Sequence, residues 1–326
     1  MQYRRLGRSG VKVSEIALGS WLTYGGSVEK ETAIKCIHRA FELGINFFDT
    51  ANVYRRGAAE EVVGEALRGF ARDSYFLATK VYFPMGDGPN DRGLSRKHIM
   101  EQCERSLKRL GADYVDLYQC HRYDTESDLE ETLRALDDLI TQGKVLYAGV
   151  SEWSAAQLAD GLHLQRQFNL DRFLTDQPRY NMLERYIEKE VIPLCEREGL
   201  SQVVYSPLAE GVLTGKYRPD AQAPAGSRAT DPRTNWSMKR FMSDEVLGRV
   251  QGLNAVAERH GISMAQLSLA WVLRQPNVAS AIIGASRPEQ VDENIKAVGV
   301  TLSEEDLKEI DRILGDAMSW YLEDED

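Results

Sequence analysis

The 326-residue sequence lacks the features that mark several large classes of protein. Its four cysteines, Cys36, Cys103, Cys120 and Cys195, form no C-x-x-C pair, which predicts reduced thiols in a cytoplasmic protein. No uncharged apolar stretch of about 18 residues is present, so we expect no membrane-spanning helix. The first six residues lack the apolar segment of a secretion signal.

The sequence also lacks a histidine pattern typical of metal sites and an excess of basic residues. The five histidines show no H-E-x-x-H or similar spacing, so the sequence predicts no metal site. A net charge of −10 argues against general binding to nucleic acid or anionic membranes. It still permits one phosphate-rich cofactor held by a few local cations. From about residue 315 the chain ends in an acidic tail, Glu323–Asp326, which we expect to be solvated.

Eight short apolar runs alternate with amphipathic helical stretches. Such runs, apolar on both faces, are typical of parallel strands covered on both sides. They are Ile16–Leu18, Ile45–Phe48, Phe76–Ala78, Val115–Tyr118, Val145–Val150, Phe173–Thr175, Val203–Tyr205 and Ala281–Ile283. Among the helices, the apolar positions 99, 103, 107 and 110 lie on one face, between a possible cap at Ser95 and a stop at Gly111.

This alternation predicts an α/β protein, a single (β/α)8 TIM barrel domain over residues 1–326. A doubly wound open sheet is the second possibility, but no G-x-G-x-x-G follows a strand. Residues Tyr3–Val13 predict an N-terminal β-hairpin. The long Gly/Pro-rich stretch from Gly211 to Asn235 is typical of a functional lid or a disordered loop.

Four polar residues fall at the carboxyl ends of neighbouring strands, where barrel enzymes place their chemistry. They are Asp49, Tyr54, Lys80 and His121. Singly, Asp49 could cap a turn, Tyr54 could be a half-buried aromatic residue and His121 a core histidine. Together they predict a proton donor: Lys80 lowers the pKa of Tyr54, Asp49 keeps Lys80 charged, and His121 holds the substrate oxygen.

The motifs at and beyond this rim resemble those of the aldo-keto reductase superfamily, from the first strand to about residue 314. The closest likeness is to the branch of the β-subunits of voltage-gated potassium channels and related bacterial reductases. The segments that carry it are Gly44–Tyr54 with Gly57–Glu60, Gly149–Ser151, Asp176–Asn181, Tyr205–Leu208, Gly211–Tyr217 and Ile283–Asn294.

The resemblance implies a catalytic tetrad of Asp49, Tyr54, Lys80 and His121, and NADP(H) extended across the barrel mouth, with the long loop as a clasp. Ser151 and Gln177 should hold the nicotinamide carboxamide and Tyr205 should stack on the ring. The remaining cofactor contacts implied are Ser206, Pro207, Leu208, Gly211 and Lys216 near the pyrophosphate, Arg228, Ser286 and Gln290 near the 2′-phosphate, Glu293 and Asn294 at the adenine, and also Trp21, Asp49 and Gly284.

Loop aromatics above the rim predict a largely apolar substrate pocket. They are Trp21, Tyr24, Tyr82, Phe83 and Trp153. The implied substrates are small carbonyl compounds, ketoaldehydes or aromatic aldehydes, and a homo-oligomer is possible. Glu152 stands where many members have Asn, and Tyr205 where the channel subunits have Trp.

Two other functions stay open. One is a redox-sensing regulatory subunit that uses bound NADP as a signal for an ion channel or another partner. His121 argues for catalysis, because the channel subunits carry Asn there and active reductases commonly carry His. The other is a barrel aldolase with Lys80 as a Schiff-base lysine; the context of Asp49 and Tyr54 argues against it.

Overall fold

Eight parallel strands close into a barrel in the structure, a computed structural model that describes residues 1–22, 24–26 and 28–319. The strands are β3 (Ile16–Gly19), β4 (Phe47–Asp49), β5 (Phe76–Val81), β6 (Val115–Cys120), β7 (Val145–Val150), β8 (Thr175–Asp176), β9 (Ser201–Val204) and β10 (Val278–Ile283). Strand β10 pairs with both β3 and β9, which closes the ring. The predicted (β/α)8 barrel is confirmed, and an open doubly wound sheet is excluded.

Helices surround the barrel and cover the outward faces of its strands. They are α1 (Lys30–Glu42), α2 (Ala58–Leu67), α3 (Arg96–Leu110), α4 (Leu129–Thr141), α5 (Ala155–Gln167), α6 (Val191–Glu198), α7 (Asp244–Gly252), α8 (Asn254–Arg259), α9 (Met264–Leu273), α10 (Pro288–Asn294) and α11 (Glu304–Leu314). Ser95 accepts a hydrogen bond from the His98 backbone N–H and Gly111 ends α3 with φ +63°, as the sequence predicts.

Two apolar clusters explain why each strand is apolar on both faces. A large outer cluster lies between strands and helices and includes Phe48, Leu77 and Tyr118. A smaller cluster fills the barrel interior and includes Phe47 and Phe76, whose rings meet edge to face at 5.0 Å. Alternate residues of one strand therefore serve opposite clusters.

The strand bounds differ from the predicted runs where polar residues are buried. The run Phe173–Thr175 is reduced to a two-residue strand that ends at Asp176, and the run Val203–Tyr205 becomes Ser201–Val204. Asp176 and Gln202, both fully buried, pair in register between β8 and β9. An apolar-run criterion misses such positions because their side chains are polar.

The predicted N-terminal hairpin is present and closes one end of the barrel. Strands β1 (Tyr3–Arg5) and β2 (Lys12–Ser14) pair antiparallel, and Leu6 and Val13 join the interior cluster. The backbone N–H of Gly7 donates to Ser201 at the start of β9, 2.8 Å away, so the hairpin covers the amino ends of the strands.

The long loop between β9 and α7 contains short 3-10 turns at Ala209–Thr214, Arg228–Thr230 and Asn235–Phe241. The end of the predicted acidic tail, residues 320–326, lies outside the described residues. Across the described ranges, no helix combines the length and the apolar character that crossing a bilayer requires.

Candidate active site

Asp49 ends β4, and the chain then turns so that Tyr54 begins a short 3-10 turn, Tyr54–Gly57. Arg55 and Arg56 in this turn have φ values of 51° and 54°, and Gly57 has φ 95°. Three successive residues in the left-handed region are unusual, because only glycine adopts it without steric cost. The turn brings the phenol of Tyr54 back over the end of the neighbouring strand β5.

Lys80 lies at the centre of the predicted tetrad and is fully buried. Its Nζ donates to Asp49 Oδ1 at 2.5 Å, to the Thr50 carbonyl at 2.8 Å and to the Tyr54 hydroxyl at 3.3 Å. Burial opposes the charge on Lys80, but Asp49 and, to a smaller extent, Tyr54 raise its pKa above the usual range. The ammonium therefore stays charged beside the phenol.

The pKa of Tyr54 corrects one expectation. Burial raises it above the ordinary value, and the neighbouring Lys80 ammonium lowers it only in part. The sequence predicted the effect of Lys80 but not the larger desolvation of the hydroxyl, which depends on the packing around the mouth. The phenol therefore holds its proton through neutral pH.

His121 lies beside Tyr54, with the two rings edge to face at 5.6 Å. Burial lowers its pKa well below the usual value, and the Lys80 and Arg122 charges lower it further, so the imidazole is neutral. Its Nδ1 is buried without a hydrogen-bond partner among the described residues. This nitrogen therefore keeps a hydrogen-bonding capacity that none of the described residues uses.

The second oxygen of Asp49 is held by two amides. Gln177 Nε2 donates to Asp49 Oδ2 at 2.9 Å, and Gln119 Nε2 does so at 3.5 Å. Ser151 Oγ donates to the Gln177 backbone carbonyl at 2.8 Å. Gln177 and Ser151 thus lie together beside the tetrad. Gln119 was missed by sequence reasoning, although its position two residues before His121 on β6 was a usable signal.

An aromatic row borders the tetrad on the side of the long loop. The edge-to-face ring pairs Trp21–Tyr205 and Trp21–Trp236 each have centroids 6.4 Å apart. The sequence analysis also missed Trp236, which is 54% exposed. Trp236 lies far from Trp21 along the chain, so the sequence does not indicate that the two rings are in contact. This row forms an apolar wall with one exposed end.

The predicted substrate residues divide into two groups. Tyr82 and Phe83 are half-buried and follow β5, and Phe83 packs against His121 at 4.8 Å. Tyr24 and Trp153 are 1% and 2% exposed. Trp153 packs edge to face on Tyr123 and Phe173 at 4.8 and 5.4 Å, beneath α5. Their burial in the outer apolar cluster does not support the predicted substrate contacts of Tyr24 and Trp153.

The two cations expected near the pyrophosphate and the 2′-phosphate, Lys216 and Arg228, lie on the long loop. Lys216 is exposed, and a Cβ placed on Gly211 would lie 3.2 Å from its Nζ. Arg228 forms an ion pair with Glu210, a buried carboxylate that also accepts from the Ser206 hydroxyl. The sequence analysis did not anticipate Glu210. In the structure its carboxylate pairs with Arg228, in the role that a phosphate group was expected to have.

The expected adenosine residues lie around α10. The Ser286 backbone N–H donates to Gln290 Oε1 at 2.8 Å, and its hydroxyl does so at 3.2 Å. Glu293 accepts from Gln266 at 2.7 Å and pairs with Lys296 at 3.0 Å. The other expected contacts vary in exposure: Gly284 is exposed, Leu208 is half-buried, and Pro207 and Asn294 are buried. No cluster of three or more potential metal ligands occurs among the residues the structure describes.

The chain is similar over most of its length to several known proteins. The model of the aldo/keto reductase family matches residues 15–315. A probable voltage-gated potassium channel subunit beta from Arabidopsis thaliana is 43% identical over 303 residues, covering 92% of each chain. The corresponding protein of Oryza sativa subsp. japonica gives the same figures. A putative channel subunit beta of Schizosaccharomyces pombe is 44% identical over 321 residues, covering 96% of this chain and 93% of its own.

Proposed function

Because this chain belongs to the aldo/keto reductase family, we propose that it is an NADPH-dependent oxidoreductase that reduces aldehydes and ketones to alcohols. The observation that carries the proposal is the contact of the Tyr54 hydroxyl with Lys80, itself paired with Asp49, beside a neutral His121. A protonated phenol next to a fixed positive charge is suited to donate a proton to a developing alkoxide.

The residues present fit a phosphorylated dinucleotide. Lys216 is an exposed cation of the long loop, and Arg228, which is paired with Glu210, is a second cation on the same loop. The aromatic ring of Tyr205 offers a stacking surface beside the tetrad. When bound, NADPH supplies the hydride for the carbonyl carbon.

Each member of the tetrad has one task in this proposal. Tyr54 donates its proton to the substrate oxygen, and the Lys80 ammonium stabilises the phenolate that remains. Asp49 fixes Lys80 through the 2.5 Å ion pair. His121, kept neutral by burial, donates a hydrogen bond to the substrate oxygen and orients it toward Tyr54.

Removal of the Tyr54 hydroxyl tests this assignment. We expect Tyr54→Phe to lower kcat for aldehyde reduction by about 10²- to 10⁴-fold, because general acid catalysis is lost, while NADPH binding measured by fluorescence is retained. Tyr3→Phe is the matched control, since the exposed Tyr3 hydroxyl donates only to the Gly44 carbonyl. Retained turnover in Tyr54→Phe would remove Tyr54 from its role.

A second candidate follows from the relatives, which are named as potassium channel β-subunits. In that case this chain would bind NADPH, turn it over very slowly with every carbonyl compound, and bind a partner protein. A steady-state screen of aldehydes, ketones and sugars separates the two, because a reductase gives substrate-dependent oxidation of NADPH. A Schiff base at Lys80, by contrast, would be trapped by borohydride; the charge held on Lys80 by Asp49 argues against it.

A further inference from the structure

Glu210 is a buried carboxylate near the start of the long loop between β9 and α7. It lies in the 3-10 turn Ala209–Thr214, directly before Gly211. Its backbone has φ +58°, in the left-handed region that side-chain-bearing residues rarely adopt. Strain of this kind persists only where the surrounding contacts fix the residue, and it is concentrated at functional sites.

The two oxygens of the Glu210 carboxylate have different partners on the same loop. Oε2 forms an ion pair with the Arg228 guanidinium, and Oε1 accepts from the Ser206 hydroxyl. Both partners are residues that the proposed dinucleotide would use, Ser206 near the pyrophosphate and Arg228 near the 2′-phosphate. Glu210 therefore supplies from within the chain the anionic oxygens that a phosphate group would supply from outside.

The two charges of this ion pair are buried to different extents. The Arg228 side chain is 25% exposed, whereas the Glu210 side chain is 2% exposed. Arg228 can therefore turn to a ligand at the surface while Glu210 stays in place. Once Arg228 has turned, the Glu210 carboxylate is left buried without its counter-ion, which is unfavourable. A phosphate that binds Arg228 must therefore compete with Glu210.

We propose that Glu210 is a specificity-determining residue that competes with the 2′-phosphate of NADPH for Arg228, and so lowers the preference of this chain for NADPH over NADH. The inference rests on the proposed function, because it assumes a nicotinamide dinucleotide at this mouth. NADH has no 2′-phosphate, so it binds while Arg228 stays paired with Glu210. Only NADPH has to break the ion pair.

Removal of the Glu210 charge tests the competition. We expect Glu210→Gln to bind NADP⁺ about tenfold more tightly, the gain that follows if the ion pair is open in about one wild-type molecule in ten. The affinity for NAD⁺ should stay unchanged. Calorimetry measures NADP⁺ binding, and displacement of NADPH fluorescence measures NAD⁺ binding. The variant keeps a carbonyl oxygen that can accept from the Ser206 hydroxyl, so the turn retains this contact.

A double variant separates competition for Arg228 from general repulsion of the coenzyme phosphates. In the Arg228→Ala background neither anion has the guanidinium to bind. A further Glu210→Gln should then leave the ratio of the NAD⁺ and NADP⁺ dissociation constants unchanged, because the two changes act through one interaction. General repulsion by Glu210 would instead weaken both coenzymes, so Glu210→Gln would strengthen NAD⁺ as well as NADP⁺ and overturn the inference.

The ion pair of Asp231 and Arg233 on the same loop provides the control. Arg233 Nη2 lies 2.8 Å from Asp231 Oδ2. Asp231→Asn removes one negative charge, as Glu210→Gln does, but it releases no residue that the proposed coenzyme uses. It should therefore leave both affinities unchanged. An equal gain in the two variants would assign the effect to net charge and overturn the inference.

The sign of the change in NADP⁺ affinity decides the role of Glu210. Weaker or unchanged NADP⁺ binding in Glu210→Gln would overturn the inference, because Glu210 would then hold Arg228 in place for the phosphate or take no part in binding. Glu210→Asp, which keeps the charge on a shorter side chain, should show a smaller gain, and it gives the same comparison if Glu210→Gln does not fold. Failure of the wild-type protein to bind NADP⁺ at all would instead overturn the proposed function.

Discussion

Burial and neighbouring charges both shift the pKa values of the ionisable residues at the mouth, and their balance differs from residue to residue. For Lys80 burial is the largest single influence, but the charges and hydrogen bonds of Asp49 and Tyr54 together outweigh it, so the pKa rises and the ammonium persists. For Tyr54 burial outweighs the Lys80 charge, so the pKa also rises and the phenol persists. For His121 burial and the neighbouring cations act together, and the pKa falls. Of these three side chains, Lys80 is therefore charged, whereas Tyr54 and His121 are neutral.

This balance predicts the pH dependence of reduction. The lowered pKa of His121 means that it takes up no proton near its ordinary value of 6.5, so we expect kcat/KM to show no acid limb there. The raised pKa of Tyr54 means that the donor loses its proton only above its ordinary value of 10.0, so activity should fall beyond that pH. A profile of kcat/KM from about pH 5.5 to 11 checks both limits. A decline centred near 6.5 on the acid side would contradict the neutral imidazole.

At the level of residues, the sequence was sufficient to predict the members of the tetrad but not the residues that surround them. Asp49, Lys80 and His121 lie within three residues of the carboxyl ends of predicted strands, so their position at one end of the barrel could be deduced from the fold alone. Glu210 and Trp236 act through partners distant in the sequence, and their roles depend on how the long loop folds. The net pKa of Tyr54 could not be predicted either, because desolvation is a property of packing.

At the level of elements, the long loop between β9 and α7 combines apolar packing against the barrel with charged contacts, one of them within the loop and one to the segment after β8. Arg228 pairs with Glu210, and Arg240 donates to Glu184 at 3.2 Å. Glu210 has φ 58°, and Gly211 beside it has φ 96°. The loop therefore meets the barrel through apolar side chains buried in the outer cluster as well as through charged contacts and strained backbone.

Arg228 is the residue of this loop whose removal should change cofactor choice. We expect Arg228→Ala to weaken NADPH by about ten- to a hundredfold, the loss of one charge-assisted phosphate contact, and NADH much less. Arg218→Ala, an exposed change on the same loop, is the control. Fluorescence titration with both cofactors measures the effect, and equal losses for NADPH and NADH would refute the 2′-phosphate assignment.

Elements with local signals were the ones that the sequence predicted well. The cap of α3 at Ser95 and its stop at Gly111 depend on neighbouring residues and were recognisable. Strand β8 has only two residues and ends in a buried Asp176, so no apolar run could delimit it. Its strand geometry is imposed by pairing with β7 and β9, which is a tertiary effect.

At the level of the whole molecule, Arg4 ties the N-terminal hairpin to the last part of the barrel. Its Nε donates to Glu15 at 2.6 Å, and its two NH groups donate to the Leu273 and Val278 carbonyls at 2.7 Å each. No sequence pattern predicts these contacts, because more than 250 residues separate Arg4 from the two carbonyls. The barrel itself was predictable, because eight apolar runs that alternate with amphipathic helical stretches can be counted in the sequence.

Removal of this tie should destabilise the fold. We expect Arg4→Ala to lower the free energy of unfolding by about 2–4 kcal/mol, because the buried Glu15 and two carbonyls lose their donor. Urea denaturation measures the change, with the exposed neighbour variant Arg5→Ala as control. Equal stabilities of the two variants would show that the tie contributes nothing.

Because the hairpin covers the amino ends of the strands, small molecules approach Lys80 from the carboxyl end of the barrel. Any two small molecules that meet over Lys80 must then arrive and depart through the same opening. Where the two molecules overlap at that opening, the outer one has to leave before the inner one can be exchanged. The order in which they bind therefore follows from the closure of the amino end of the barrel.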